Sequence, residues 1–275
     1  MAEENTVWFD AELHAVLLLQ KALGPLCQSA YTDREYPEDM FRDCKIYDTG
    51  CMSISATEGV VLSSTSSFPP YVFTYLWMPI SSFRTFQCRE NRVLNLNLRF
   101  LEEQITDCAS INFTGETTNY NAIMCSFMKV GEDGDVLGTE ECAISLISSN
   151  PATERYVSAF TSQLIIEMQS ETFKNVINSV SMFGFTVHAT VTNTQITFRV
   201  VNNETVLREE AEAYRTVLSA GQYPYSLKFS LHQKSAFLNA ARLSNVVRLH
   251  LFDDSRTRLD VPVEGLGNLM FCFKL

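Results

Sequence analysis

A chain of 275 residues, 46% of them apolar, is long enough for one large or two medium domains with a sizeable core. Its 21 Lys and Arg against 32 Asp and Glu leave a net charge of −11. That sign excludes a protein that grips nucleic acid over its whole surface, since such binding rests on cations neutralising phosphates.

In chain order, Thr6 to Ala11 alternates as a short strand. Residues 12–23 then read as a helix, with Leu13, Val16 and Leu17 on its buried face, His14 and Lys21 sharing another, and Gly24-Pro25 as its stop. Residues 29–49 are charged, aromatic and without period, which predicts a surface loop or insertion. From Cys51 a β pattern takes over, through "CMSISAT", "GVVLSSTS", "YVFTYLWM", "FRTFQC" and "RVLNLNL". "RFLEEQITDCA" switches to helix, with Leu101, Ile105 and Cys108 as its buried stripe and Arg99, Glu103 and Thr106 on another. "SINFTG", "NAIMCSFMKV" and "ECAISLIS" continue as strands.

Residues 148–160 lack both periods and contain Pro151, which predicts a connector between an N-terminal domain (1–147) and a C-terminal domain (161–275). "SQLIIEM" follows as a strand. "SETFKNVINSVSMFG" is a helix with Ser170 as N-cap, Gly184 past its end, a buried stripe of Phe173, Val176, Ile177 and Val180, and a polar stripe of Lys174, Asn178 and Ser181. Residues 185–201 predict a hairpin about Asn193. Residues 204–222 fit a helix or a strand plus loop, and the neighbouring units favour the latter. The last fifty residues run strand, short helix and three strands, and carry seven basic and four acidic residues from 225 to 275, a net of +3 that leaves −14 for the rest. Helices beginning near 12, 99, 170 and 232 mark a fourfold internal repeat of strand, helix and several strands. The expected class is α+β with antiparallel sheets.

Chemical motifs are wanting. The eight cysteines form no CxxC pair and have no His at ligand spacing, which points to reduced thiols in an intracellular chain. "GEDGDVLGTEE" (131–141) has Leu137 and Ile144 where a calcium loop needs oxygen ligands, so it predicts a hairpin turn. No phosphate-binding glycine loop, nucleophile elbow or zinc-protease motif occurs, no cofactor is implied, and nothing points to an enzyme. The opening "MAEENT" is not a secretory signal, and no apolar run approaches the ~20 residues that span a bilayer.

Two stretches carry a family resemblance. In "FRTFQCRENRVLNLNLRFLEEQITDCA" (83–109), Phe86, Cys88, Asn91, Asn97, Leu98, Cys108 and Ala109 are similar to a first-domain segment of the DNA sliding clamps of the proliferating cell nuclear antigen family. In the closing segment, Phe237, Leu238, Ala241, Leu243, Ser244, Val247, Leu249, Gly267 and Leu269 resemble that family's last strand-helix-strand unit. The resemblance implies a DNA-clamp fold of two similar domains with two short helices each. It also implies a nuclear trimeric ring with two other clamp subunits, double-stranded DNA threaded through it, and no membrane. A clamp loader, and repair, checkpoint or polymerase proteins binding through peptide motifs, would be its partners. It places His14, Lys21, Arg99, Lys174, Lys234 and Arg242 on the DNA-facing bore, Val157 and Phe271 on a partner groove, and subunit pairing on strands near 111–116 and 185–192. A ring holds DNA by topology, so an acidic exterior is compatible with a mildly basic bore. The cations are sparse, the 29–49 insertion is extra, and the family's tail after the last strand is missing. These departures favour a subunit of a heterotrimeric checkpoint clamp over a homotrimeric polymerase processivity factor. The rival from another class is a β-rich interaction protein without a DNA role.

Overall fold

The computed structural model describes residues 7–28, 49–66, 72–117, 122–131, 133–145 and 161–273. The connector at 148–160 and all of the 29–49 insertion but Thr49 lie outside the described residues. The rest is α+β, with antiparallel sheets and four helices among the described residues.

The repeat is explicit. Unit one is β1 (Val7–Leu13), α1 (Val16–Gln28), β2 (Thr49–Ser55), β3 (Gly59–Thr65) and β4 (Val72–Met78), and a short β5 (Thr85–Cys88) follows it. Unit two is β6 (Arg92–Asn97), α2 (Leu98–Gln104), β7 (Cys108–Glu116), β8 (Ala122–Val130) and β9 (Val136–Ser145). Unit three is β10 (Ser162–Gln169), α3 (Ser170–Ser181), β11 (Thr186–Val191), β12 (Gln195–Val200) and β13 (Asn203–Arg208), followed by β14 (Arg215–Ser219). Unit four is β15 (Tyr225–Ser230), α4 (Lys234–Ala240), β16 (Val246–Phe252), β17 (Thr257–Val263) and β18 (Gly267–Phe273). The stretch after β12 is therefore strand, short 3₁₀ turn and strand, where a strand plus loop was favoured over a helix.

Within each half the two units exchange their leading strands. β1 pairs with β7 of unit two and β6 with β2 of unit one; β10 pairs with β16 of unit four and β15 with β11 of unit three. Three sheets result, in the orders β5-β1-β7-β8-β9, β14-β10-β16-β17-β18-β4-β3-β2-β6 and β13-β12-β11-β15. The nine-stranded central sheet crosses both halves through β4 and β18, paired from Val72↔Phe273 to Trp77↔Asn268. Gly267 makes this seam possible: its φ is +138°, and a Cβ there would lie 1.9 Å from the Trp77 carbonyl oxygen.

Alternation puts one face of each strand into a continuous core. Phe9, Phe113 and Phe127 fill the first half, and Phe173, Phe198, Phe229, Phe237 and Phe271 the second, all but fully buried. Each such ring contributes about 1.5–3 kcal/mol by leaving water. The helices pack on the inner faces: α1 bridges β7 of one sheet and β3 and β4 of another, and α3 bridges β12 and β13 with β10 and β16. Each half is thus a corner of two sheets filled by two helices. No described helix is long and apolar enough to cross a membrane.

Three local expectations need correction. β1 continues to Leu13, so α1 begins at Val16 and its buried face is Val16, Leu19, Ala22, Leu23 and Leu26, while Leu17 is 60% exposed. Pro25 does not stop the helix, which runs to Gln28. A proline so near the C-terminus forfeits one backbone hydrogen bond, and burial of Pro25 and Leu26 offsets it. Ser170 is the first residue of α3 rather than its cap. Its hydroxyl donates to the Ser244 carbonyl at 2.7 Å, tying the start of α3 to the loop after α4.

Candidate nucleic-acid interface

The four helices stand in one row, α2-α1-α4-α3, because α1 packs against both α2 and α4, and α3 against α4. Polar side chains stitch neighbours together. The Gln20 amide donates to Thr106 Oγ1 (3.4 Å) just past α2, Asn239 Nδ2 to Gln28 Oε1 (2.8 Å) between α4 and α1, and Lys234 Nζ to Ser181 Oγ (3.4 Å) between α4 and α3. The row buries its apolar stripes against the sheets and leaves a mostly neutral polar surface on its other side.

The helices and their ends carry five cations, Lys21, Arg99, Lys174, Lys234 and Arg242, against the carboxylates Glu102, Glu103 and Glu171. Arg99 pairs with Glu103 at 3.4 Å and Lys174 with Glu171 at 2.5 Å, so two of the five are neutralised locally. Lys21 and Arg242 are exposed and make no side-chain bond among the described residues. Arg242 follows α4 and lines a cleft of about 630 Å³, with Ser81, Asn245 and Glu264 also on its walls. His14 is displaced from the expected helix face. It lies in the bend before α1, where its Nε2 sits 2.8 Å from Glu12 Oε1.

Glu102 was not expected to matter, yet it closes the seam between α1 and α2. Gly24 leaves room for it: a Cβ there would lie 3.5 Å from Glu102 Oε1. Burial pushes the Glu102 carboxyl up, while the Arg99 charge and a hydrogen bond from Cys27 pull it down. The signal was a glycine facing an acid across a helix pair, which sequence spacing alone does not display.

The partner-groove residues fare differently. Val157 lies outside the described residues. Phe271 is fully buried, its ring 4.9 Å from that of Phe237 at 79°, so it is a core residue and no groove wall. Alternation along β18 turns Met270 and Cys272 to the outer face instead.

That outer face holds the most buried charges of the described residues. Glu167 accepts from Arg215 Nε at 2.7 Å and Arg248 Nε at 2.8 Å. Asp260 accepts from Arg258 Nε (2.6 Å) and Nη2 (2.8 Å). Ser162 Oγ is 3.3 Å from His250 Nδ1, and His250 Nε2 is 3.1 Å from Asp260 Oδ2. This Ser-His-Asp line resembles a nucleophile relay. However, the His-Asp approach is off the hydrogen-bonding angle, and the carboxylate is already gripped by Arg258.

Comparison with known protein families and with characterised proteins returned no match.

Proposed function

We propose that this chain is a DNA sliding-clamp subunit that closes a ring around duplex DNA, with its helices toward the DNA and its sheets outside. The observation that carries the reading is the coincidence of the two ends of the helix row with two of the free sheet edges. The row ends in α2 and α3. The same two units end in β9 and β13, which have no further strand beside them among the described residues. End-to-end pairing of β9 with β13 of a neighbouring subunit would extend the sheet and the helix row together. The strands at 111–116 and 185–192 cannot serve, because β7 and β11 are each flanked on both sides.

A face with five cations and three carboxylates attracts phosphate weakly, which suits retention by topology and favours a hetero-ring in which other subunits supply charge. The tethered partners would be repair and checkpoint proteins. The homotrimeric processivity factor is the alternative, since one chain carries both β9 and β13 as sheet edges.

Light scattering on the purified chain separates the two. A monomer of 31.1 kDa that assembles only with other chains supports the hetero-ring, and a stable species of three times that mass selects the homotrimer. Loading on closed circular DNA followed by linearisation tests the ring itself. No retention on the circle leaves the β-rich interaction protein as the reading, and retention that survives linearisation rejects the ring in favour of direct DNA binding.

A further inference from the structure

The outer face of the first sheet is unlike the others. Asp10, Glu12, Asn112, Thr114, Glu116, Ser126 and Glu141 alternate outward from β1, β7, β8 and β9, and none of these strands turns a Lys or Arg to that side. This is not the chain's overall acidity spread evenly. The outer face of the third sheet carries Arg199, Arg208 and Lys228 with only Glu204 against them.

At the centre of the acidic face is a cup of about 270 Å³. Asp10 Oδ1 accepts from Asn112 Nδ2 at 3.1 Å and from Thr114 Oγ1 at 3.2 Å, which fixes the carboxylate. Glu12 Oε1 meets His14 at 2.8 Å and Arg84 at 3.5 Å, both from the rim. The second oxygen of each carboxylate makes no bond among the described residues. Two further polar groups make no hydrogen bond among the described residues. Asn112 Oδ1 is buried without a hydrogen bond, and Ser110, only 6% exposed, makes no side-chain bond. One orphaned buried acceptor and an unpartnered hydroxyl, beside two half-used carboxylates, suit a ligand rich in N–H donors.

We infer that this cup receives a Lys or Arg side chain from an extended basic segment of a partner protein. Ammonium and guanidinium are donors only, so they complement a site made of acceptors. Among the described residues no group of three His, Cys, Asp or Glu could hold a metal ion, and the cup offers two carboxylates. Glu116 and Glu141 flank it on the same face, and alternate residues of an extended peptide, about 7 Å apart, would meet them.

The test is fluorescence anisotropy of the full chain with a labelled hexa-arginine peptide at fixed ionic strength. The paired variant Asp10→Asn with Glu12→Gln should weaken binding by about tenfold, a loss visible in Kd. Glu209→Gln with Glu210→Gln, which removes the same charge from the turn after β13, should leave it within about twofold. Equal losses would reduce the effect to general attraction by an acidic protein and overturn the inference. Displacement of the peptide by millimolar Ca²⁺ or Mg²⁺ at matched ionic strength would reassign the cup to a metal and overturn it too. Because Asp10 also ties β1 to β7, a second readout uses the unaltered protein. Amide shifts on peptide addition should centre on Asp10, Ser110, Asn112 and Ser126, and shifts centred elsewhere reject the site.

Discussion

Phe237 shows how far a single residue could be read in advance. It entered only as one of the residues that carry the family resemblance, and it is fully buried, edge-on to Phe271 and Phe273 at 4.9 and 5.6 Å. Phe237→Ala should cost about 3–5 kcal/mol, seen as a lower urea midpoint with an unchanged slope. Phe271 was misread. Alternation says that neighbours on a strand face opposite ways, but without the sheet it does not say which of Phe271 and Cys272 faces in. Among the cations the structure ranks what sequence left level. Lys21→Glu and Arg242→Glu should each lower the salt slope of DNA retention by about one, and Arg99→Glu or Lys174→Glu by less, since those two side chains already hold carboxylates. Retention assays across a salt series make the comparison, and equal effects at all four positions would remove the ranking.

At the scale of elements, the strongly amphipathic α3 was legible because Phe173, Val176, Ile177 and Val180 form one uninterrupted stripe over twelve residues. The start of α1 was not, because Glu12 and Leu13 satisfy a strand's alternation and a helix's spacing equally well. Strand identity was readable through the second half except at 204–222, but strand neighbours were not, since alternation fixes the buried face and is silent on lateral partners. That is why interior strands were expected at the subunit contact. The free edge β9 is ten residues long and exposes Val136 and Leu137, an arrangement that invites pairing. Leu137→Lys combined with Val206→Lys on β13 should abolish assembly measured by light scattering. Both side chains are solvent-facing, so the monomer's stability should change by no more than about 0.5 kcal/mol per site.

For the molecule as a whole, acid stability should be governed by the carboxylates under the central sheet. Burial alone would raise Glu167, but its bonds to Arg248 and Arg215 outweigh burial and hold it below 4.5. Burial likewise works against Asp260, and His250 and Arg258 together bring it below 3.8. Carboxyls depressed in the folded state take up protons first in the unfolded one. Their contribution is therefore complete above the ordinary values and drains away as pH falls through 4.5 and onward to the folded pKa values. The melting temperature should drop on acidification below about pH 4.5, and Glu167→Gln should shrink that drop while lowering the melting temperature at pH 7.

The seam between β4 and β18 sets an order of events during synthesis. Everything β4 needs on one side is made early, but its other neighbour is the final strand, and β9 is finished at Ser145 while β18 begins only at Gly267. At ordinary translation speeds the growing chain carries a folded first half with an open seven-residue edge for on the order of ten seconds. Over that interval any extended segment can dock where β18 belongs, a neighbouring nascent chain included. The ribosome-bound intermediate is therefore the form of this protein most exposed to aggregation, and the one with most to gain from a chaperone that masks a strand edge.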